Sequence, residues 1–544
     1  MAIFRHPLTC LLPVVVLVAG FGLTSYPLPP EEKASRPQSA LTVDNETYID
    51  ANRILMFVTN HGNFGRDIAG IFGNDYGTYF PYTSIADINA GRTPSPFYAG
   101  GLWLGGVDSA SGDTLVVVSE YSSEYVPGPM LNGTYQTDRP EFRVYKLYRD
   151  SLASNPNSDY LNWPVDQGAP VDRFGNPGIL ADHFLWAVCN DANQSRHTNN
   201  NGSTAPVGVE VHHSVFAWKR TSGIMATSVF LRFKLINKGT KTLKNTMISL
   251  WLDPDLGASG DDLIACDTLN NTVFCYNATN QDDKYSGAIP PIVPAIGFRM
   301  LEGPIVPSPG HIATVNGKPV FNHRNLDLYS AVVYVNGTDP DNYRESYQYM
   351  HGLKAKEGGA PYTDYLGRVT RFWYVSDPVW GVGDLDPNPD DKRAMATTGP
   401  IDFRPGDTQQ VVFLMAVGQG GDYLSSVNVM KAYLDWMQFP TSVDDEGPSL
   451  LPSAFAVHQN YPNPFNPATT FCYALPTRSE VEVAIFNVLG RRVATLVRET
   501  QSAGEHTVIW NGTDDMRRAV ASGVYFYRVR AGDDVQSRKM MLLK

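Results

Sequence analysis

GVEVHHSVFAWK (Gly208–Lys219) and SVFLRFKLIN (Ser228–Asn237) decide the fold of this chain. In each, apolar side chains recur at every second position, the period of a strand whose two faces differ. A polar turn separates the two runs, and Thr246–Leu252 supplies a third. Successive strands joined by short polar turns form antiparallel sheet. Leu115–Tyr121, Leu328–Val335 and Arg371–Val375 read as further strands. GPIDFRPGDTQQVVFLMAVG (Gly399–Gly418) reads as strand, Pro-Gly-Asp turn and strand. Phe97–Gly106 is a strand flanked by glycine pairs, which allow close backbone approach or bulges. Residues 131–205 read mostly as loop, with turns at Asn155–Asn157 and Asn199–Gly202. One helix stands out between Asp422 and Phe439, where Leu424, Val427, Met430, Leu434 and Met437 share a face and predict core packing.

Composition agrees. Tyr (28) and Phe (25) are abundant, Gly and Pro are plentiful, and only 18% of residues are charged, the balance of a β-rich secreted protein. The net charge is −12. Residues 451–544 carry eleven Lys and Arg against eight Asp and Glu, so the rest of the chain holds −15. An acidic body argues against nucleic acid as a partner and suits cation binding or solubility.

The N-terminus carries Arg5 and His6, then an apolar run from Leu8 to Val18, then small residues to Ser25. This is the pattern of a signal peptide, too short for a membrane span, with cleavage expected between Gly20 and Ser25. Cys10 lies near the start of the apolar run rather than after it, which excludes a lipoprotein. Four other cysteines follow: Cys189, Cys266, Cys275 and Cys472. None has metal-ligand spacing. Cys266 and Cys275 either close a short disulfide loop or are buried small hydrophobes.

The last ninety residues form a unit of their own. Phe455–His458, Thr469–Leu475, Val481–Ile485, Val493–Val497, His506–Trp510, Val524–Arg530 and a terminal run make seven short strands at sandwich spacing. Pro462, Pro464 and Pro467 belong in a loop or on an edge. Asn460–Thr470, the NVLGRRV turn (Asn487–Val493), Gly523-Val524-Tyr525 and the basic terminal strand resemble the type A C-terminal sorting domain of type IX secretion, a sequence type also described as FlgD-like immunoglobulin-like. The resemblance implies an immunoglobulin-like sandwich that serves as an export address for the outer-membrane translocon. On that resemblance the sorting residues are Asn463, Pro464, Gly490, Gly523, Tyr525, Lys539 and Lys544. The alternative is an accessory sandwich with no address function. Gly101–Gly106, Glu124–Pro129, Asp253–Asp267 and Pro405–Thr408 resemble segments of uncharacterised exported proteins carrying the same tail, which implies no activity.

Two acidic loops are the candidate metal sites. Asp253, Asp255, Asp261, Asp262 and Asp267 fall within fifteen residues on loops joining strands. Such carboxylates repel unless a cation neutralises them, and hard oxygen ligands in loose geometry suit Ca²⁺. A solvated acidic turn is the plain alternative. Asp384, Asp386, Asn388 and Asp390 alternate like the front of a calcium loop, but Pro389 and Met395 stand where an EF-hand needs Gly and Glu. Either site would be structural rather than catalytic.

No H-E-x-x-H, G-x-S-x-G, phosphate loop or C-x-x-C occurs. His212 and His213 are adjacent on a strand and face opposite ways, so they cannot share a metal.

The expected organisation is signal peptide 1–25, disordered leader 26–45, β-rich body 46–440 with a subdivision near 205–240, linker 441–452 and sorting domain 453–544. The sequence favours a non-catalytic exported body, structural, adhesive or glycan-binding, stiffened by Ca²⁺, at the outer cell surface or released. The alternatives are a secreted hydrolase acting on polysaccharide or peptide, and a binding module for a soluble ligand.

Overall fold

A computed structural model describes residues 45–72, 77–136, 139–151, 156–198, 204–288, 291–436, 455–457, 459–460, 463–501 and 504–543. The expected signal peptide, the leader up to residue 44 and the linker 441–452 lie outside the described residues. Asn45, read as the end of the leader, already belongs to the body: its N–H donates to Asn60 Oδ1 at 2.9 Å and its Oδ1 accepts from Val144 N–H at 2.9 Å.

The body is two large antiparallel sheets packed face to face. The first runs in the order Glu46–Ile49, Met56–Thr59, Phe64–Gly65, Ala99–Asp108, Leu243–Asp253, Lys392–Phe403 and Leu328–Val335, with Thr114–Val117 paired to Ala99–Asp108. The second runs Asp262–Asp267, Thr272–Asn277, Ala295–Glu302, Thr408–Gly418, Ser228–Asn237, Val209–Ala217, His183–Asn190 and Val126–Pro127, with Tyr145–Tyr148 paired to His183–Asn190. Both sheets draw strands from either side of residues 205–240.

Alternation sorts the side chains. Val229, Leu231, Phe233 and Leu235 point inward, where they meet Leu102, Leu104, Ile248 and Leu250 of the first sheet. Phe230 points outward with Val412, Leu414 and Ala416, into a second core covered by the helix Tyr423–Trp436 through Val427, Met430 and Leu434. Met437 lies outside the described residues. The outer face of the first sheet carries Trp103, Met247, Trp251, Val332 and Met395, covered by Tyr349 and Met350 of the helix Tyr343–Met350. The glycine pairs serve close approach: a Cβ on Gly101 would lie 2.2 Å from the Ser119 carbonyl oxygen.

Two expectations change. The stretch 131–205 contains His183–Asn190, a strand with every residue buried. Its sequence, HFLWAVCN, does not alternate in polarity because core lies on both of its faces. Arg371–Val375 is a turn, with Tyr374 at φ +56° and only isolated bridges to Ala331 and Cys266. Cys266 and Cys275 are free buried thiols. They sit diagonally across paired strands, opposite Val273 and Ile264 respectively.

The C-terminal unit is a seven-stranded sandwich of three and four strands. Phe465, Phe471, Trp510, Tyr527 and Leu542 fill its core.

Candidate metal centre

Asp253 ends the strand Leu243–Asp253, and Asp391 precedes the neighbouring strand Lys392–Phe403. The pairing of Leu252 with Ala394 sets the two acids side by side although 138 positions separate them in sequence. Asp255 joins them from a turn, held at φ +39°. Short polar side chains tolerate that left-handed region best. Ligand oxygens of Asp253, Asp255 and Asp391 all lie within 4.8 Å of one another, the first residue buried and the other two half-buried.

Compensation is incomplete. Arg393 is the cation at this corner: it pairs with Asp391 and lies 3.6 Å from Asp253 Oδ2. Its Nε and Nη2 donate to the Tyr121 hydroxyl at 3.0 and 2.6 Å, and that hydroxyl donates to Asp253 Oδ2 at 2.6 Å. Asp391 Oδ2 accepts from Asn336 Nδ2 at 2.8 Å. Asp253 Oδ1 and Asp255 Oδ1 are buried without a hydrogen-bond partner. The three carboxylates thus share one guanidinium, which a fourth, Asp339, also approaches at 3.9 Å. Burial, then Asp255, pushes the Asp253 carboxyl well above the usual range. Burial, then Asp391, pushes Asp255 up to about 6 against the pull of Arg393. Such a site is relieved by a shared proton or by a cation, and the all-oxygen set could hold a hard metal ion.

The other candidate acids are engaged to different degrees, and Asp261 Oδ1 and Asp262 Oδ1 are likewise buried without a hydrogen-bond partner. Asp262 Oδ2 accepts from Leu256 N–H at 2.9 Å, and Asp261 Oδ2 from Asn277 Nδ2 at 2.9 Å. Asp267 caps a turn, accepting from Leu269 and Asn270 N–H at 3.1 and 3.3 Å. In the second loop, Asp386 pairs with Lys392 and accepts from Ile264 N–H at 3.0 Å. Asp384 accepts from the Tyr362 hydroxyl at 2.6 Å and Tyr365 N–H at 3.0 Å. Asn388 N–H reaches Asp386 Oδ1 at 3.4 Å, and Asp390 Oδ1 accepts from Asp391 N–H at 2.9 Å. Asp391, at the end of that loop, is the member that joins the first group. Its role follows from strand pairing, which no local spacing reveals.

In the tail, Asn463 Oδ1 accepts from Met541 N–H at 2.8 Å. Next to Pro464, Phe465 exchanges backbone bonds of 2.9 Å with Met541 and Leu543, so the proline loop is sewn to the last strand. Gly490, at φ +71°, closes the turn capped by Asn487, whose Oδ1 accepts from Leu489 and Arg491 N–H at 3.0 Å each. Gly523 opens the strand Gly523–Ala531. Tyr525 packs against Trp510 and donates to the Ala521 carbonyl at 2.8 Å. Lys539 is exposed opposite Phe526. Lys544 lies outside the described residues.

A cavity of about 270 Å³ lies on the outer face of the second sheet. Its lining includes Trp186, His212, Arg232 and Lys234 and no carboxylate.

Comparison with known proteins fits the tail. Residues 468–534 match the FlgD Ig-like domain family, and the C-terminal unit is a domain of this type. A tail of this kind implies export to the cell surface or beyond. No curated protein matches the chain in sequence. Among solved structures, the chain is similar to a polysaccharide lyase at 6% identity and a TM-score of 0.26, covering 93% of this chain and 47% of the lyase. It is also similar to dimeric latent PorU from Porphyromonas gingivalis (11% identity, TM-score 0.15, covering 62% and 32%). A third is PorZ, a surface component of the type IX secretion system of the same organism (11% identity, TM-score 0.13, covering 93% and 58%). The chain spans less than two thirds of each of these proteins. Likenesses this slight carry no argument about activity.

Proposed function

We propose that this is a type IX export cargo whose C-terminal domain is its address, read by the outer-membrane translocon. Its body is a non-catalytic scaffold at the cell surface or released from it, with a structural, adhesive or glycan-binding role. A calcium ion bound by Asp253, Asp255 and Asp391 stiffens one corner of the first sheet. The observation that carries the calcium reading is the convergence of three carboxylates, Asp253, Asp255 and Asp391, within 4.8 Å beside a single guanidinium. Leaving such groups uncompensated is costly, and a hard cation supplies what they lack.

A hydrolase is the weaker reading. Glycoside hydrolysis needs two carboxylates across a cleft that admits substrate. The cavity over the second sheet has none in its lining, and two more open clefts carry their carboxylates only as sequence neighbours, Asp282 with Asp283 and Asp514 with Asp515. Among the described residues no helix is long and apolar enough to cross a membrane.

Two experiments test the proposal. Chelation should lower the melting temperature of the purified protein, and Asp253→Asn with Asp255→Asn should abolish that dependence. An unchanged melting temperature in chelator would remove the calcium reading. Deleting residues 453–544 should trap the body in the periplasm of a host with type IX export. Normal export of the truncated chain would remove the address reading.

A further inference from the structure

The strand Ser228–Asn237 changes character along its outer face. Phe230 lies in the aromatic core under the long helix, and the next two outward positions are Arg232 and Lys234. Strand pairing sets Arg232 beside Ser214, and Lys234 between His212 and Gln410. These residues floor the cavity. Pro170 and Gly168 form one wall, and Gly168 is required there, since a Cβ would lie 2.5 Å from His212 Cε1. The opposite wall is the hairpin Ile305–Val315 and Lys318–Asn325. Its pairing breaks between Pro307 and Ile312, and Asn325 Nδ2 bonds both the Gly303 and Thr314 carbonyls at 2.9 Å. The hairpin therefore folds back, and its turn residue Asn316 reaches Arg232.

The charge in this cavity is unusual for its burial. Arg232 is only 9% exposed, yet its guanidinium bonds two neutral oxygens, Asn316 Oδ1 at 3.2 Å and Ser214 Oγ at 3.1 Å. Among the described residues neither Arg232 nor Lys234 forms an ion pair with a carboxylate, although Glu302 acts on Arg232 and Glu210 on Lys234 from further off. The acids nearby are turned to other partners. Glu210 is bonded to His212 at 2.7 Å and Lys238 at 2.6 Å. Glu302 sits behind the lining, accepting from Asn316 N–H at 3.1 Å and Gln410 Nε2 at 2.8 Å. A buried cation is ordinarily paired, and Arg232, with half-buried Lys234 beside it in a cavity lined by no carboxylate, leaves a place for an anion.

We infer that this cavity binds a carboxylate-bearing, hydroxylated small molecule of about the size of one sugar acid, its carboxylate held by Arg232 and Lys234. A volume of about 270 Å³ lies at the small end for ligand sites and suits a single ring. Gln410 keeps its Oε1 free to accept from a hydroxyl, because its Nε2 is committed to Glu302. Ser214 Oγ accepts from Arg232 and so has its own proton to donate, while Pro170, Ile305 and Val315 offer apolar contact to a ring. This deepens the glycan-binding reading above, on which it rests for the saccharide nature of the ligand. The calcium corner plays no part in it.

The test is calorimetric titration of the full chain with D-glucuronate and D-galacturonate, with D-glucose and inorganic sulfate as controls. At least one uronate should bind and glucose should not. Arg232→Gln is buried and risks misfolding, so the deciding variant is Lys234→Gln at the rim. It should weaken uronate binding about tenfold or more while leaving the melting temperature unchanged. No uronate binding at about 20 mM, or equal affinity in Lys234→Gln, would overturn the inference. So would sulfate binding as tightly as a uronate, which would make this a plain inorganic-anion site. A neutral glycan bound equally by both proteins would keep the binding reading while overturning this one.

Discussion

Lys392→Met is the sharpest probe of how the acidic loops are neutralised. Lys392 and Asp386 are 2% and 5% exposed, and they form an ion pair inside the body. Asp386 also accepts from Ile264 N–H, but that neutral donor cannot balance a full charge. Burial raises the Asp386 carboxyl, and Lys392 is the charged group that opposes the rise. Removing one member of a buried pair leaves the other uncompensated, a loss of about 3–5 kcal/mol. Replacing both by apolar residues of similar volume should recover most of that loss, since desolvation of the pair largely offsets its attraction. The assay is equilibrium urea unfolding of the single variant and of Lys392→Met with Asp386→Leu, followed by tryptophan fluorescence, with and without calcium. The single variant should lose stability whether or not calcium is present, and the double variant should lose much less. A single variant within about 1 kcal/mol of the parent would refute the reasoning. Rescue of the single variant by calcium would show that this loop, and not only the Asp253 corner, takes a cation.

Other outcomes follow from the same structure. Burial pushes the Glu302 carboxyl up from 4.5 to about 7. The folded state therefore keeps a proton that the unfolded state releases, and stability declines as pH rises from about 4.5 through 7, by up to about 3 kcal/mol. Glu302→Gln should flatten that part of the pH–stability profile, and an unchanged profile would exclude Glu302 as its source. Gly418→Ala would set a Cβ 2.2 Å from Met430 N in the covering helix. It should destabilise the body by about 1–3 kcal/mol, read from the urea midpoint, and a neutral effect would mean that the helix docks more loosely than described. Cys189, Cys266 and Cys275 are buried, and burial pushes the Cys189 and Cys266 thiols upward. In the native protein these three should resist an aromatic disulfide reagent at pH 8 and react on unfolding, and rapid native labelling of any of them would contradict their burial.

Strands with unlike neighbours on their two faces were legible in the sequence. Ser228–Asn237 and Leu328–Val335 have the limits that alternation predicts. His183–Asn190 was not legible, because burial on both faces erases the period and leaves a short apolar run between turns. Arg371–Val375 misled for the opposite reason: its composition suits a strand, but Tyr374 turns the backbone to positive φ. At the acidic corner, Asp253 and Asp255 announced themselves by local crowding. Asp391 did not stand out within its loop, since only the pairing of Leu252 with Ala394 brings it across. Spacing alone likewise could not tell that Asp386 is held by Lys392 and Asp384 by Tyr362. Arg232 and Lys234 stood in plain view at outward positions of an alternating strand. That the nearest acids, Glu210 and Glu302, are bonded to other groups follows from strand pairing, which the sequence does not display.

Asp253, Asp255 and Asp391 are proposed to hold one calcium ion between them. Calorimetric titration of metal-free full-length protein with calcium at neutral pH tests it most directly, alongside the variant carrying Asp253→Asn and Asp255→Asn. One site per chain is expected in the parent and none in the variant. No binding in the parent, or the same stoichiometry and affinity in the variant, would contradict it.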